Sequence, residues 1–162
     1  MSYYLRAFCT GGAVPTLAAL LAWAAERGTA LQIDPTSANS DLRAGEWAEV
    51  DLRYASDRQP LRLTLDRDDG SAESLVRAEV AEFLEDVAAT PESDARLFVT
   101  AHLRQTRFIA ACRLPADSDE TAYRAAVSVL DYFAEHCGGL IQADGEGFYI
   151  GDEVILPLHW ED

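Results

Sequence analysis

A chain of 162 residues with 49% apolar and 25% charged side chains has the length and composition of one folded domain, here 1–162, which excludes a disordered or fibrous chain. Its 28 acids against 13 bases give a formal charge of −15, and every base is an arginine. A surface this acidic repels phosphate, which excludes nucleic acid and anionic membrane as expected partners and favours a basic protein.

The first residues, Met1-Ser2-Tyr3-Tyr4-Leu5-Arg6, show no basic region followed by an apolar core, so a cytoplasmic protein is expected. Aromatic and aliphatic residues over 3–9 predict a strand. Thr10-Gly11-Gly12 turns the chain, and Pro15 suits the first turn of a helix over 14–27 that Gly28 ends. Leu17, Leu20, Leu21 and Ala24 mark one face of that helix, and Trp23 with several alanines leaves it apolar on most sides, which predicts cover from more than one neighbour. Its apolar run, 14–25, is too short to span a bilayer.

A short strand over 31–33 leads into a polar loop over 35–45. Strands are predicted over 47–54 and 61–66; in the second, Leu61, Leu63 and Leu65 alternate with Arg62, Thr64 and Asp66, the pattern of a sheet with one wet face. A helix over 71–87 turns Val76, Val80, Phe83, Leu84 and Val87 inward and Glu79, Glu82, Glu85 and Asp86 outward. A hairpin over 96–103 and 107–114 turns at Arg104-Gln105-Thr106. A third helix over 120–136 is stopped by Gly138-Gly139, and short strands over 140–143, 147–150 and 154–156 complete the pattern.

Offset by 47 residues, Ser71-x-Glu73-Ser74-x-x-Arg77-Ala78-x-Val80 matches Ser118-x-Glu120-Thr121-x-x-Arg124-Ala125-x-Val127. Each segment follows an expected hairpin, which reads either as a ββα duplication or as helix-start chemistry common to unrelated helices. The expected fold is therefore α+β: a single two-layer domain, mainly an antiparallel sheet with three helices, in the order β-α-β-(ββα)-(ββα)-ββ(β). Strands and helices do not alternate singly, which excludes a doubly wound sheet.

Chemistry is sparse along the chain. Cys9, Cys112 and Cys137 have no metal-type spacing, and each lies in or beside an apolar run, so they read as reduced core thiols. His102, His136 and His159 form no paired motif, and no phosphate-binding loop or nucleophile elbow is present; no metal, cofactor or catalytic residue is expected. The most distinctive stretch is Asp144-Gly145-Glu146-Gly147-Phe148-Tyr149. Asp144, Glu146 and Tyr149 form an alternative ligand site, where carboxylates on a glycine-shaped turn hold a hard cation or act as acid and base. The plain reading is a hairpin turn, which Asp-Gly between apolar segments signals strongly.

Two acidic clusters precede helices: Asp66, Asp68, Asp69 and Glu73, then Asp117, Asp119 and Glu120. If both ββα units share one orientation, the clusters emerge from the same sheet edge and build an acidic rim, extended by Glu79, Glu82 and Asp86, that docks a basic protein. Otherwise they are helix caps and solvated faces. On the third helix Val129, Tyr132 and His136 form a second apolar patch that packs on the first helix or serves as a dimer or partner contact.

Three functions follow as expectations. Small size, strong acidity and sparse chemistry resemble, in physical character, bacterial immunity or antitoxin proteins, which implies a non-catalytic module that neutralises or docks a basic partner. A ligand- or metal-dependent enzyme using Asp144 and Glu146 is the rival, and a homo-oligomeric structural protein is the third. Acidity also serves solubility or a salty cytoplasm with no partner at all.

Overall fold

The computed structural model describes residues 3–36 and 46–159. The alternating segments become strands β1 (Tyr3–Cys9), β2 (Gln32–Ile33), β3 (Glu49–Arg53), β4 (Leu61–Arg67), β5 (Phe108–Leu114), β6 (Leu140–Ala143), β7 (Gly147–Ile150) and β8 (Glu153–Pro157). Among the described residues they form one sheet in the order β2-β3-β4-β5-β1-β6-β7-β8, with every neighbouring pair antiparallel. The helices are α1 (Leu17–Glu26), α2 (Leu75–Ala88), α3 (Asp94–Arg104) and α4 (Glu120–His136). The class is α+β, with four helices among the described residues where three were expected.

The fourth helix is the main departure from the sequence reading. Residues 96–103 are not the first arm of a hairpin but most of α3. Ser93 caps this helix by accepting from the Arg96 amide at 3.0 Å, Asp94 lies in its first turn, and His102 and Arg104 lie in its last, all favourable to the helix dipole. Val99 and Leu103, four residues apart, are its buried stripe. The ββα duplication goes with the lost strand. The capping residues, Ser74 for α2 and Asp119 for α4, do not correspond under the 47-residue offset, so the echo is helix-start chemistry.

The expected two layers are also corrected, because apolar side chains point to both faces of the central strands. On one face Leu5, Ala7 and Cys9 of β1 join Phe108, Ala110, Cys112 and Leu114 of β5 and Leu61, Leu63 and Leu65 of β4 beneath α1 and α4. On the other, Phe8, Ile109, Leu140, Phe148 and Leu156 pack under Val76, Phe83 and Val87 of α2 and Val99 and Leu103 of α3. Strict alternation fails where a strand is buried on both faces, as the burial of nearly every residue of β5 shows.

α1 meets the sheet through Leu17, Leu20 and Ala24 and meets α4 through Trp23, whose indole N–H donates to the Ser128 carbonyl at 3.0 Å. Its outer alanines, Ala18, Ala19, Ala22 and Ala25, face solvent. Trp47, fully buried, donates to the Pro15 carbonyl at 2.8 Å and ties the strand side of the domain to the start of α1. The polar loop expected over 35–45 lies outside the described residues from position 37 on. No described helix is long and apolar enough to cross a membrane.

Candidate functional site

α4 lies over β5 and β1 and reaches only to β6, which leaves the adjoining surface of β6 and β7 uncovered on that face. A groove runs there. Its deep lobe, about 330 Å³, has Leu5, Ala143 and Ile141 as floor, Tyr123, Val127, Leu130 and Asp131 as the α4 wall, and Tyr149, Gly151 and Asp152 opposite. The α4 residues recur at helical spacing, so they share one side of the helix. A wider outer lobe of about 640 Å³ shares Val127, Asp131, Ile141 and Tyr149 and continues past Glu135 to Phe98 and His102 of α3. Phe98 and Ile150, on its rim, are about half exposed.

Asp131 is the unusual group in this groove. It is half-buried beside apolar walls, and among the described residues it makes no hydrogen bond or ion pair. Burial pushes its carboxyl above the usual range, and the like charge of Glu135 one turn on adds to the effect. Arg27, the cation nearest in influence, lies 3.9 Å from Glu135 instead. Asp152, exposed on the Gly151 turn across the groove, likewise has no ion pair among the described residues.

The head of the groove is a tyrosine cluster around Glu146. The Tyr3 hydroxyl donates to Glu146 Oε2 at 2.6 Å, the Tyr149 phenol lies within the influence of the same carboxylate, and the Tyr3 and Tyr123 rings are 6.5 Å apart. Burial first, and then the Glu146 charge, pushes the Tyr149 phenol up to about 12; Tyr3 and Tyr123 are raised by the same two causes. These tyrosines stay protonated, and Tyr3 holds Glu146 by donating to it.

Asp144 belongs elsewhere. Its Oδ1 accepts from Arg6 Nη1 at 2.7 Å and from the Gln142 amide at 3.2 Å, and its Oδ2 accepts from the Tyr4 backbone N–H at 3.1 Å. Arg6 also donates from Nε to Glu79 of α2 at 2.5 Å and lies 5.0 Å from the Tyr4 ring centroid. Asp144 thus joins the α2 side of the sheet, whereas Glu146 and Tyr149 join the α4 side. The turn between them makes this possible: Gly145 and Gly147 adopt φ of +76° and +127°, values that favour glycine. The expected trio is therefore divided, with Glu146 and Tyr149 together and Asp144 on the opposite face. Among the described residues no group of His, Cys, Asp or Glu has the arrangement of a metal site.

The two acidic clusters do not share an edge. β4 and β5 are antiparallel neighbours, so Asp66, near the end of β4, and Asp68, Asp69 and Glu73, just past it, lie beside the start of β5, where the Asp68 amide donates to the Arg107 carbonyl. Asp117, Asp119 and Glu120 follow the other end of β5, beside Arg58 of the β3–β4 turn, whose guanidinium is 3.7 Å from Asp119. A seven-residue strand separates them by roughly 20 Å. Several of these acids already have internal partners. Asp68 and Asp69 sit below the usual carboxylate range, Asp68 mainly through the Gly70 amide and Asp69 mainly through the Ser71 hydroxyl. Asp119 caps α4, Glu120 pairs with Arg124 at 2.7 Å, and Glu79 pairs with Arg6. Asp66 is half-buried, and burial raises its carboxyl. Glu73, Glu82, Asp86 and Asp117 are exposed.

The patch of Val129, Tyr132 and His136 makes its contact within the chain. Val129 is buried in the core, and the Trp23 ring of α1 stands 5.3 Å from Tyr132 and 5.1 Å from His136. Asp131, Tyr123 and Asp152 were not singled out by sequence. The available signal was Asp131 itself, a carboxylate four residues after Val127 and eight after Tyr123 on an otherwise apolar stripe. No protein-family model, curated protein or solved structure matches this chain.

Proposed function

We propose that this chain is a protein-binding module that docks a basic partner, in the physical manner of bacterial immunity or antitoxin proteins that neutralise a basic toxin. The observation that carries the reading is the groove beside α4, where an apolar floor is flanked by carboxylates, Asp131 and Asp152, that no cation of the described chain pairs. A solvent-facing apolar channel bordered by unpaired charge suits a partner that brings both apolar contact and positive charge. The net charge of −15 speeds encounter with such a partner at low salt. A cytoplasmic setting belongs to the same proposal and is supported by Cys9, Cys112 and Cys137, all buried free thiols, as expected in a reducing compartment.

The test is a tagged capture from the native organism's lysate with the wild-type chain and the Asp131→Arg/Asp152→Arg variant side by side, eluted by a salt gradient. Docking predicts a basic protein held by the wild type, released as salt rises, and lost by a variant whose circular dichroism is unchanged. Equal retention by both chains, or a captured protein with no excess of basic residues, overturns it.

A further inference from the structure

We propose that the deep lobe of the groove is a receptor for one cationic side chain, a guanidinium or ammonium on an aliphatic stem, with the stem against Val127 and Ile141 and the charge at Asp131 and Asp152. The inference rests on the docking reading and narrows it from a basic protein to a single basic side chain.

Size comes first. A cavity of about 330 Å³ is at the small end of ligand sites, enough for one long side chain and too little for a helix or a folded loop. Chemistry then selects among the groups that fit. An anion is opposed by Asp131, Asp152 and Glu146. A hard divalent ion asks for several converging oxygens, and here the floor is Leu5, Ile141 and Ala143. A purely apolar group would remove the remaining water from Asp131 and leave its charge unanswered, which is costly.

A cation on an apolar stem meets every requirement. Its methylenes cover the apolar floor, its charge answers the two carboxylates, and Tyr123 and Tyr149, which line the lobe, are aromatic rings of the kind that attract cations. Glu146 contributes indirectly: by accepting from the Tyr3 hydroxyl it fixes the head of the groove, so it is a positioning residue.

N-butylguanidinium is the probe, titrated into the ¹⁵N-labelled protein at constant ionic strength and followed by amide shifts, with 1-pentanol as the uncharged comparison. The expected result is saturable shifts confined to Tyr123, Val127, Asp131, Ile141, Tyr149 and Gly151, in the millimolar range. Asp131→Asn and Asp152→Asn should each weaken binding about fivefold, the effect of losing one partly solvated ion pair; the exposed turn position of Asp152 keeps the test valid if the other variant folds poorly. Shifts that never saturate, that spread over Asp69 and Glu85, or that match those of pentanol overturn the proposal. If the probe fails while the charge-reversed chain still loses its partner, the side-chain receptor falls and docking stands. If the probe saturates and no basic partner is captured, the receptor stands and docking falls.

Discussion

Asp144 and Asp131 are both half-buried aspartates, each close to the β6–β7 hairpin, yet their surroundings are opposite. Asp144 accepts from Arg6, Gln142 and the Tyr4 amide, so a guanidinium and two N–H donors replace the water it lost. Asp131 lies against apolar walls and gained no donor among the described residues. The first arrangement joins β1, β6 and α2 and belongs to the architecture. The second leaves an open valence for charge on the surface. A carboxylate that the fold has already answered holds structure together, and one that the fold has left unanswered is where an outside cation gains most.

The comparison breaks most completely at Gly147, whose turn sends Asp144 to one face and Glu146 to the other. Gly147→Ala would place a Cβ against the Leu156 carbonyl at a φ of +127°. Such a change is expected to cost about 3 kcal/mol or more, or to prevent folding, and urea denaturation reads it directly. A variant as stable as wild type would mean that the turn does not divide the two carboxylates.

Arg6→Ala is next in size. It strips the cation from two carboxylates, Glu79 and Asp144, in a network whose side chains are only 13–25% exposed. A loss of about 2–3 kcal/mol is expected from the shifted urea midpoint, below the figure for fully buried pairs because water reaches this one. Arg6→Lys should recover only part of the loss, because an ammonium cannot reproduce the fork that spans Glu79, Gln142 and Asp144. A loss within about 0.5 kcal/mol would reduce the network to surface ion pairs.

Asp131→Asn gives the smallest effect and the opposite sign. A carboxyl whose folded-state value is raised above 3.8 favours the protonated fold. Well below pH 3.8 both folded and unfolded chains carry the proton and nothing is gained or lost. As pH rises, the unfolded chain ionises first, so stability falls until the folded carboxyl has ionised too, and the penalty then persists at neutral pH. Removing the charge should therefore raise the melting temperature slightly at pH 7, by the equivalent of about 0.5 kcal/mol, and leave it unchanged at pH 3. A destabilised variant at pH 7 would show that Asp131 has an internal partner and that the contrast with Asp144 is false.

Local signals carried much of the fold. β1 and α4 match their expected bounds because aromatic-aliphatic runs, an acidic cap and a double-glycine stop act within a few residues. α3 escaped because Leu97, Phe98, Val99 and Thr100 have strand-like composition, and the Ser93-Asp94 start that specifies a helix lies just outside that run. The groove was not legible at all. It exists because α4 reaches β6 but does not cover β7, and no residue of α4 records where the sheet beside it ends.

By itself the sequence determined the α+β class, the bounds of β1 and α4, the inward leucines of β4 and the charge of −15, since each depends on neighbours along the chain. Tertiary structure alone decided which carboxylates are answered. Arg6 and Asp144 meet across 138 residues, and Tyr3 and Glu146 across 143, so their pairing depends on the order of β1, β6 and β7 in the sheet and on the hand of one glycine turn. Among the described residues Asp131 has no hydrogen bond or ion pair for the same reason: Coulomb attraction and desolvation act over a few ångströms of space, and a one-dimensional pattern does not contain that distance.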